Sequence, residues 1–142
     1  MALQLDDTLS PIFYWPSIVF EERTKMKIAV TSQNFRTVTA HAGKTRRFLI
    51  FDISCPCSPR EVDRLDLGKE MSFHEFRGSL HPIDGVAALI TGGAGEGFRV
   101  RMAQRGIELI VTGETDPVQA VIDYTQGVVK PALPHDEHEH RH

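Results

Sequence analysis

Four kinds of residue in this chain have types and spacing that could carry chemistry. The first is His41-Ala42-Gly43-Lys44, followed by Arg46 and Arg47. A neutral imidazole nitrogen is a good metal ligand, and the cations after it favour a negatively charged partner. The second is the glycine run Gly92-Gly93-Ala94-Gly95-Glu96-Gly97, which leads into a helical pattern. Backbone N–H groups at a helix N-terminus, with the positive end of the helix dipole, suit an anion. Together these two groups suit a ligand that is both metallic and anionic. The opposing reading makes Lys44 and Arg46 plain solvated charges and the glycines a tight turn.

The third kind is the pair Cys55-Pro56-Cys57, with His74 and His81. Two thiols can contribute to a soft-metal site, but alone they seldom complete one, and Pro56 between them points to a plain turn. His74 and His81 are seven residues apart, which is not a standard ligand spacing; each reads as a surface or capping residue, with His74 the candidate for an additional ligand. The fourth is the His-rich stretch with His135, His138, His140 and His142 interleaved with Asp136, Glu137 and Glu139. His138 and His140 stand at its centre, and the stretch suits loose, adaptable metal binding.

Other chemistries fit poorly. Gly93-Ala94-Gly95-Glu96-Gly97-Phe98 lacks the third glycine of a dinucleotide fingerprint, and Phe98 stands where a phosphate-binding P-loop needs lysine. A two-metal nuclease needs clustered carboxylates. The first strand has none, and Asp52 and Asp84 have nothing obvious to join them. No Ser–His–acid or Cys–His constellation stands out, so a small-molecule enzyme built on the glycine turn lacks a nucleophile or general base.

The elements that must position these groups follow from the apolar pattern. The 142 residues, 41% hydrophobic and 25% charged, suit one globular domain with a real core. A net charge of −3 argues against a general nucleic-acid binder. Pro16 breaks the N-terminal apolar run, so neither a secretory signal nor a membrane span is expected, and the expected location is cytoplasmic. Residues 1–25 read as an extension with an aromatic cluster, Phe13-Tyr14-Trp15, and Met26 is a candidate start of translation. Residues 26–130 form the α/β domain and 131–142 a flexible His-rich tail.

Within the domain, strands are expected at Lys27–Thr31, Arg47–Ile53, Glu61–Leu67, Val86–Thr91 and Ile107–Val111. Val62, Leu65 and Leu67 are the apolar members of the third. The 15 residues of Ser32–Arg46 form a connection long enough to be functional. Gly68–Gly85 is a crossover with a short helix. One helix ends near Gly106. Another is capped by Asp116, with Pro117 at its first position, Gln119 at N3, Val118, Val121 and Ile122 on one face, and Gly127 as its stop. Short links make the first three strands an antiparallel meander, and apolar runs flanking a helix make a parallel βαβ unit. The result is a mixed five-stranded sheet of order 3-2-1-4-5 with helices on its faces, the ribonuclease-H-like arrangement. In that order the Ser32–Arg46 loop, the glycine turn and the start of the crossover share one end of the sheet. The Cys55–Cys57 turn lies at the other.

MKIAVTS (26–32), TAHAGKTRRFLIFDI (39–53) and VAALITGGAGEGFRVRMAQRGIELIVTGETDPVQAVIDY (86–124) together resemble the dinitrogenase iron–molybdenum cofactor biosynthesis family. The resemblance covers about residues 26–128, and its most specific parts are His-x-Gly after the first strand and Gly-Gly-x-Gly after the fourth. It implies a ribonuclease-H-like fold. It also implies a non-enzymatic carrier or temporary store of iron–molybdenum cofactor or its iron–sulfur precursor, working with nitrogenase cofactor assembly proteins. His41 would contact the cluster, with Gly43, Lys44, Arg46, Gly92, Gly93 and Gly95 around it. Family members commonly have His-Phe-Gly where this chain has His41-Ala42-Gly43, which alters the pocket's shape and leaves the ligand in place. No nucleic acid or membrane is expected as partner, and the chain is expected to be a monomer or homodimer. The alternative is a protein-interaction module of the same fold that binds no cluster and uses Phe13–Trp15 and the tail.

Overall fold

The structure is a computed structural model, and it describes residues 26–55 and 58–132. Five strands, β1 (Lys27–Thr31), β2 (Arg47–Asp52), β3 (Arg60–Asp66), β4 (Ala88–Thr91) and β5 (Glu108–Val111), form one sheet in the order β3-β2-β1-β4-β5. The pairs β1–β2 and β2–β3 are antiparallel, whereas β1–β4 and β4–β5 are parallel. Helices α1 (Glu96–Gln104) and α2 (Pro117–Gln126) complete the architecture, with 3₁₀ turns at Ala42–Lys44 and Lys69–Met71.

The period-2 alternation of the strands splits the core into two layers. Ala29, Phe48, Ile50 and Leu89 face Phe98 and Met102 of α1 and Phe73, Phe76 and Ile83 of the crossover. Ile28, Val30, Leu49, Phe51, Ala88 and Ile90 face Ala120 and Val121 of α2. Each large side chain fully buried in this way contributes about 1.5–3 kcal/mol.

Several local expectations are refined. The crossover contains only the Lys69–Met71 3₁₀ turn as helix. Its aromatic residues are held by packing and by Arg105, which pairs with Asp84 at 2.6 Å, reaches the Ser79 carbonyl and lies over the Phe73 and Phe76 rings. Val62 is 42% exposed, not an apolar partner of Leu65 and Leu67. Ile50 pairs with Asp63 and Phe51 with Glu61, so Val62 is the extra residue of a bulge and leaves the inward row.

In α2, Asp116 caps by accepting from Val118 N, and Gly127 ends the helix at φ +74°. The capping box is only half made, because the Gln119 amide donates forward to Asp123 and the Asp116 N–H is taken by Glu114. The buried face is Pro117, Ala120 and Val121, with Tyr124 packed beside them, while Val118 points outward, 43% exposed. The spacing i, i+3, i+4, i+7 defines that stripe, and Val118 falls outside it.

Candidate functional site

The site lies at the carboxyl ends of the parallel strands, where open α/β sheets generally bind ligands. β1 and β4 end on Thr31 and Thr91, both fully buried, with their hydroxyl oxygens 2.9 Å apart. Both hydroxyls lie 3.0 Å from the Thr39 carbonyl. The loop leaving β1 therefore returns across the ends of both strands. Thr39 N donates to Thr31 O, Gly92 N donates to Thr39 O, and Ala42 N donates to Gly93 O.

This lacing is where the glycine run is needed. A Cβ on Gly93 would stand 2.4 Å from the Ala40 carbonyl oxygen, and one on Gly92 would be 3.2 Å from the Ala40 Cα. At Gly43, Gly95 and Gly97 a Cβ would meet nothing within 4 Å. The first two glycines permit a close backbone crossing. The others line the hollows in front of α1, whose first backbone amides are orphan donors.

The crossing sets His41 at the mouth of a concavity of about 550 Å³, lined also by Gly43, Lys44, His74, Gly92–Gly95 and Arg99. Val111 and Ala132 are also on its wall. His74 is brought there by its backbone N–H, which donates to the Gly43 carbonyl at 2.6 Å. Thr45 Oγ1 donates to the His41 carbonyl and Thr45 N to Ala42 O, which fixes the 3₁₀ turn carrying His41 and Lys44. A second hollow of about 250 Å³ continues past His74, Gly43 and Gly95 to Arg77 and Arg101. Among the described residues neither hollow has a carboxylate in its lining, although the chain is net acidic. Lys44 and Arg99 form no ion pair among the described residues. Two imidazoles, cationic side chains and orphan amides form a surface that attracts an anion and can ligate a metal.

Of the predicted site residues, the structure brings together His41, Gly43, Lys44, Gly92, Gly93, Gly95 and His74. Arg46 is not on the cavity wall. Its guanidinium pairs with Asp66 at 3.3 Å and donates to the Leu67 carbonyl, because Arg46 leads into β2 beside the edge strand β3. Cys55 is exposed in the β2–β3 turn. The pairing of Lys27 with Asp52 and Thr31 with Phe48 puts that turn at the opposite end of the sheet. Cys57, His138 and His140 lie outside the described residues, as does the 1–25 extension.

Arg99, Arg77, Arg101 and Ala132 went unnoticed in the sequence. Arg99, in the first turn after the glycine run, had a readable signal in that position. Ala132 had none. Of the two expectations for His81, the surface one is corrected: the ring caps the turn that follows it but is only 5% exposed, stacked on Phe73 at 4.2 Å and edge-on to Phe48 and Phe76. Its Nδ1 accepts from Ile83 N, so Nε2 donates to the Met71 carbonyl at 2.7 Å. Burial pushes its pKa below the usual histidine value.

Among the described residues no helix is long and apolar enough to cross a membrane. Comparison with curated proteins gives no match. Three solved structures share the fold. The crystal structure of PH0822 superposes with a TM-score of 0.58 at 19% identity, covering 78% of this chain and 97% of that one. A candidate dinitrogenase from Methanocaldococcus jannaschii gives 0.53 at 17% identity, covering 78% and 98%. A candidate NifB protein from Thermotoga gives 0.50 at 14% identity, again covering 78% and 98%. The family profile described as dinitrogenase iron-molybdenum cofactor matches residues 24–127. With that match over most of its length, the chain belongs to the dinitrogenase iron–molybdenum cofactor family.

Proposed function

We propose that this protein is a non-enzymatic, cytoplasmic carrier or temporary store of an anionic metal cluster, iron–molybdenum cofactor or an iron–sulfur precursor, received from and passed to nitrogenase cofactor assembly proteins. The observation that carries the reading is the 550 Å³ concavity. It joins His41 and His74 to Lys44, Arg99 and the glycine run, with no carboxylate among the described residues of its wall. Cationic side chains and N–H donors hold a multiply charged anion without covalent commitment, and an exposed imidazole adds one exchangeable metal bond. Such a dock can release its cargo, as a carrier must.

The test is anaerobic loading with the isolated cluster, followed by iron and molybdenum analysis and electron paramagnetic resonance. Wild type is expected to retain about one cluster per chain. His41→Ala is expected to lose most of it, and Lys44→Glu/Arg99→Glu to weaken retention at least tenfold, since reversing two charges beside an anion costs well over ~1.4 kcal/mol. Undiminished retention in both variants refutes this dock. Capture of an assembly protein by wild type and His41→Ala alike, with no metal in either, favours the interaction-module reading.

A further inference from the structure

Three arginines gather around the Phe73–Phe76 turn, and they are held in different ways. Arg105 is taken by Asp84 at 2.6 Å. Arg101, on α1, donates from Nη1 to the Phe73 carbonyl at 2.8 Å, with its guanidinium 5.9 Å from the Phe73 ring centre. Arg77 donates from Nη1 to the Phe76 carbonyl at 2.9 Å and to the His74 carbonyl at 3.4 Å. A guanidinium carries five N–H donors in a rigid fork. Each of these two forks is therefore fixed by backbone through Nη1, while Nε and Nη2 meet no acceptor among the described residues.

Arg77 and Arg101 line one hollow of about 250 Å³, together with His74 and the buried rings of Phe73 and Phe98. Among the described residues neither arginine forms an ion pair. Acids are in excess in this chain, and Arg46, Arg47, Arg64 and Arg105 each find one. Glu75 and Glu96 stand next in sequence to lining residues, yet neither lines the hollow. Two cations beside apolar rings, with no acid to neutralise them, attract an anion more strongly than the same charges in open water. The turn that supplies the anchoring carbonyls is itself tied. Phe76 N donates to Ser72 O at 2.7 Å, and His74 N to the Gly43 carbonyl at 2.6 Å. The forks are thus preorganised, which lowers the ordering cost of binding.

We infer that this hollow is an oxyanion subsite, in which Arg77 and Arg101 together grip the paired oxygens of a small carboxylate or phosphate group, the pairing that a guanidinium fork matches. It shares Gly43, His74 and Gly95 with the larger cavity but draws on two cations that the cluster dock does not use. It needs no metal, so failure of cluster loading leaves it standing.

Titration of the metal-free full chain with sodium phosphate and, separately, sodium malonate tests it, at constant ionic strength against chloride, by calorimetry and amide NMR. At least one of the two is expected to bind at one saturable site and to shift the amides of Gly43, Gly95 and Gly97 more than those of Gly92 and Gly93, which line only the larger cavity. Tighter phosphate binding assigns a phosphoryl group and tighter malonate binding a carboxylate; either supports the subsite. Arg77→Gln and Arg101→Gln are each expected to weaken binding about tenfold or more, with circular dichroism unchanged. Arg36→Gln removes the same charge from an exposed arginine outside the hollow and is expected to change it by less than about twofold. Non-saturable shifts that chloride reproduces overturn the inference. Binding that survives in Arg77→Gln/Arg101→Gln overturns it too, as do equal losses in Arg36→Gln.

Discussion

Gly93→Ala isolates the contact on which the site's geometry depends. The new Cβ would lie 2.4 Å from the Ala40 carbonyl oxygen, and both backbones are tied, by Ala42 N to Gly93 O at 3.0 Å and by Gly92 N to Thr39 O at 2.9 Å. Relief requires the 39–42 loop to back away by close to 1 Å. Overpacking of this kind costs about 1–3 kcal/mol, and stretching one of the tying hydrogen bonds adds about 1 kcal/mol. A loss of roughly 2–4 kcal/mol in a domain of about 100 residues lowers Tm by roughly 8–16 °C. Gly97→Ala is the matched control: its Cβ meets nothing within 4 Å and it sits inside α1, so replacing glycine there stabilises by about 0.5–1 kcal/mol. Differential scanning calorimetry of both variants reads the contrast. A Gly93→Ala protein that melts within about 2 °C of wild type refutes the close crossing, and with it the placement of His41.

Three further outcomes follow from the packing around the site. His81 is held neutral by burial among Phe48, Phe73 and Phe76, so the unfolded chain binds its proton more readily than the folded one. Its share of stability is present above the unfolded value of 6.5 and is lost as pH falls below it; Tm should drop between pH 7 and 5.5, and less steeply in His81→Phe. Arg105→Ala removes the Asp84 pair, the Ser79 carbonyl bond and the cover over two phenylalanine rings, and should cost about 2 kcal/mol with faster amide exchange across the crossover. Lys130→Ala frees Glu114 and Asp123, whose pKa values are lowered first by their hydrogen bonds to Lys130. The stability those bonds give is present above the ordinary values of 4.5 and 3.8 and is lost as pH falls through them, so the variant's acid unfolding limb, followed by circular dichroism, should be shallower.

What the sequence determined by itself is local or topological. β1 was legible to the residue because its Ile-Ala-Val centre is a short apolar run between Lys27 and Thr31, and α2 because Asp116, Pro117 and Gly127 each act on their own backbone. The sheet order followed from link lengths, since short links force antiparallel neighbours and a helix between apolar runs forces a parallel pair. That order alone put His41, His74 and the glycine run at one end and Cys55 at the other.

Tertiary structure decided everything that depends on which side chain reaches a partner distant in the chain. Arg46 and Lys44 are two residues apart, yet one is taken by Asp66 and Leu67 across the sheet edge while the other faces the cavity. His81 carries no sequence mark of burial; its ring is enclosed because Phe48 of β2 converges on it with Phe73 and Phe76 of its own crossover. Gly93 and Gly97 look alike in the glycine run, but only the first has another segment's carbonyl where a Cβ would go. Ala132 reaches the cavity because Lys130 is held by acids sixteen and seven residues earlier in the chain. Periodicity and capping act over a few residues along the chain, whereas a cavity wall is assembled by contacts between segments far apart in it.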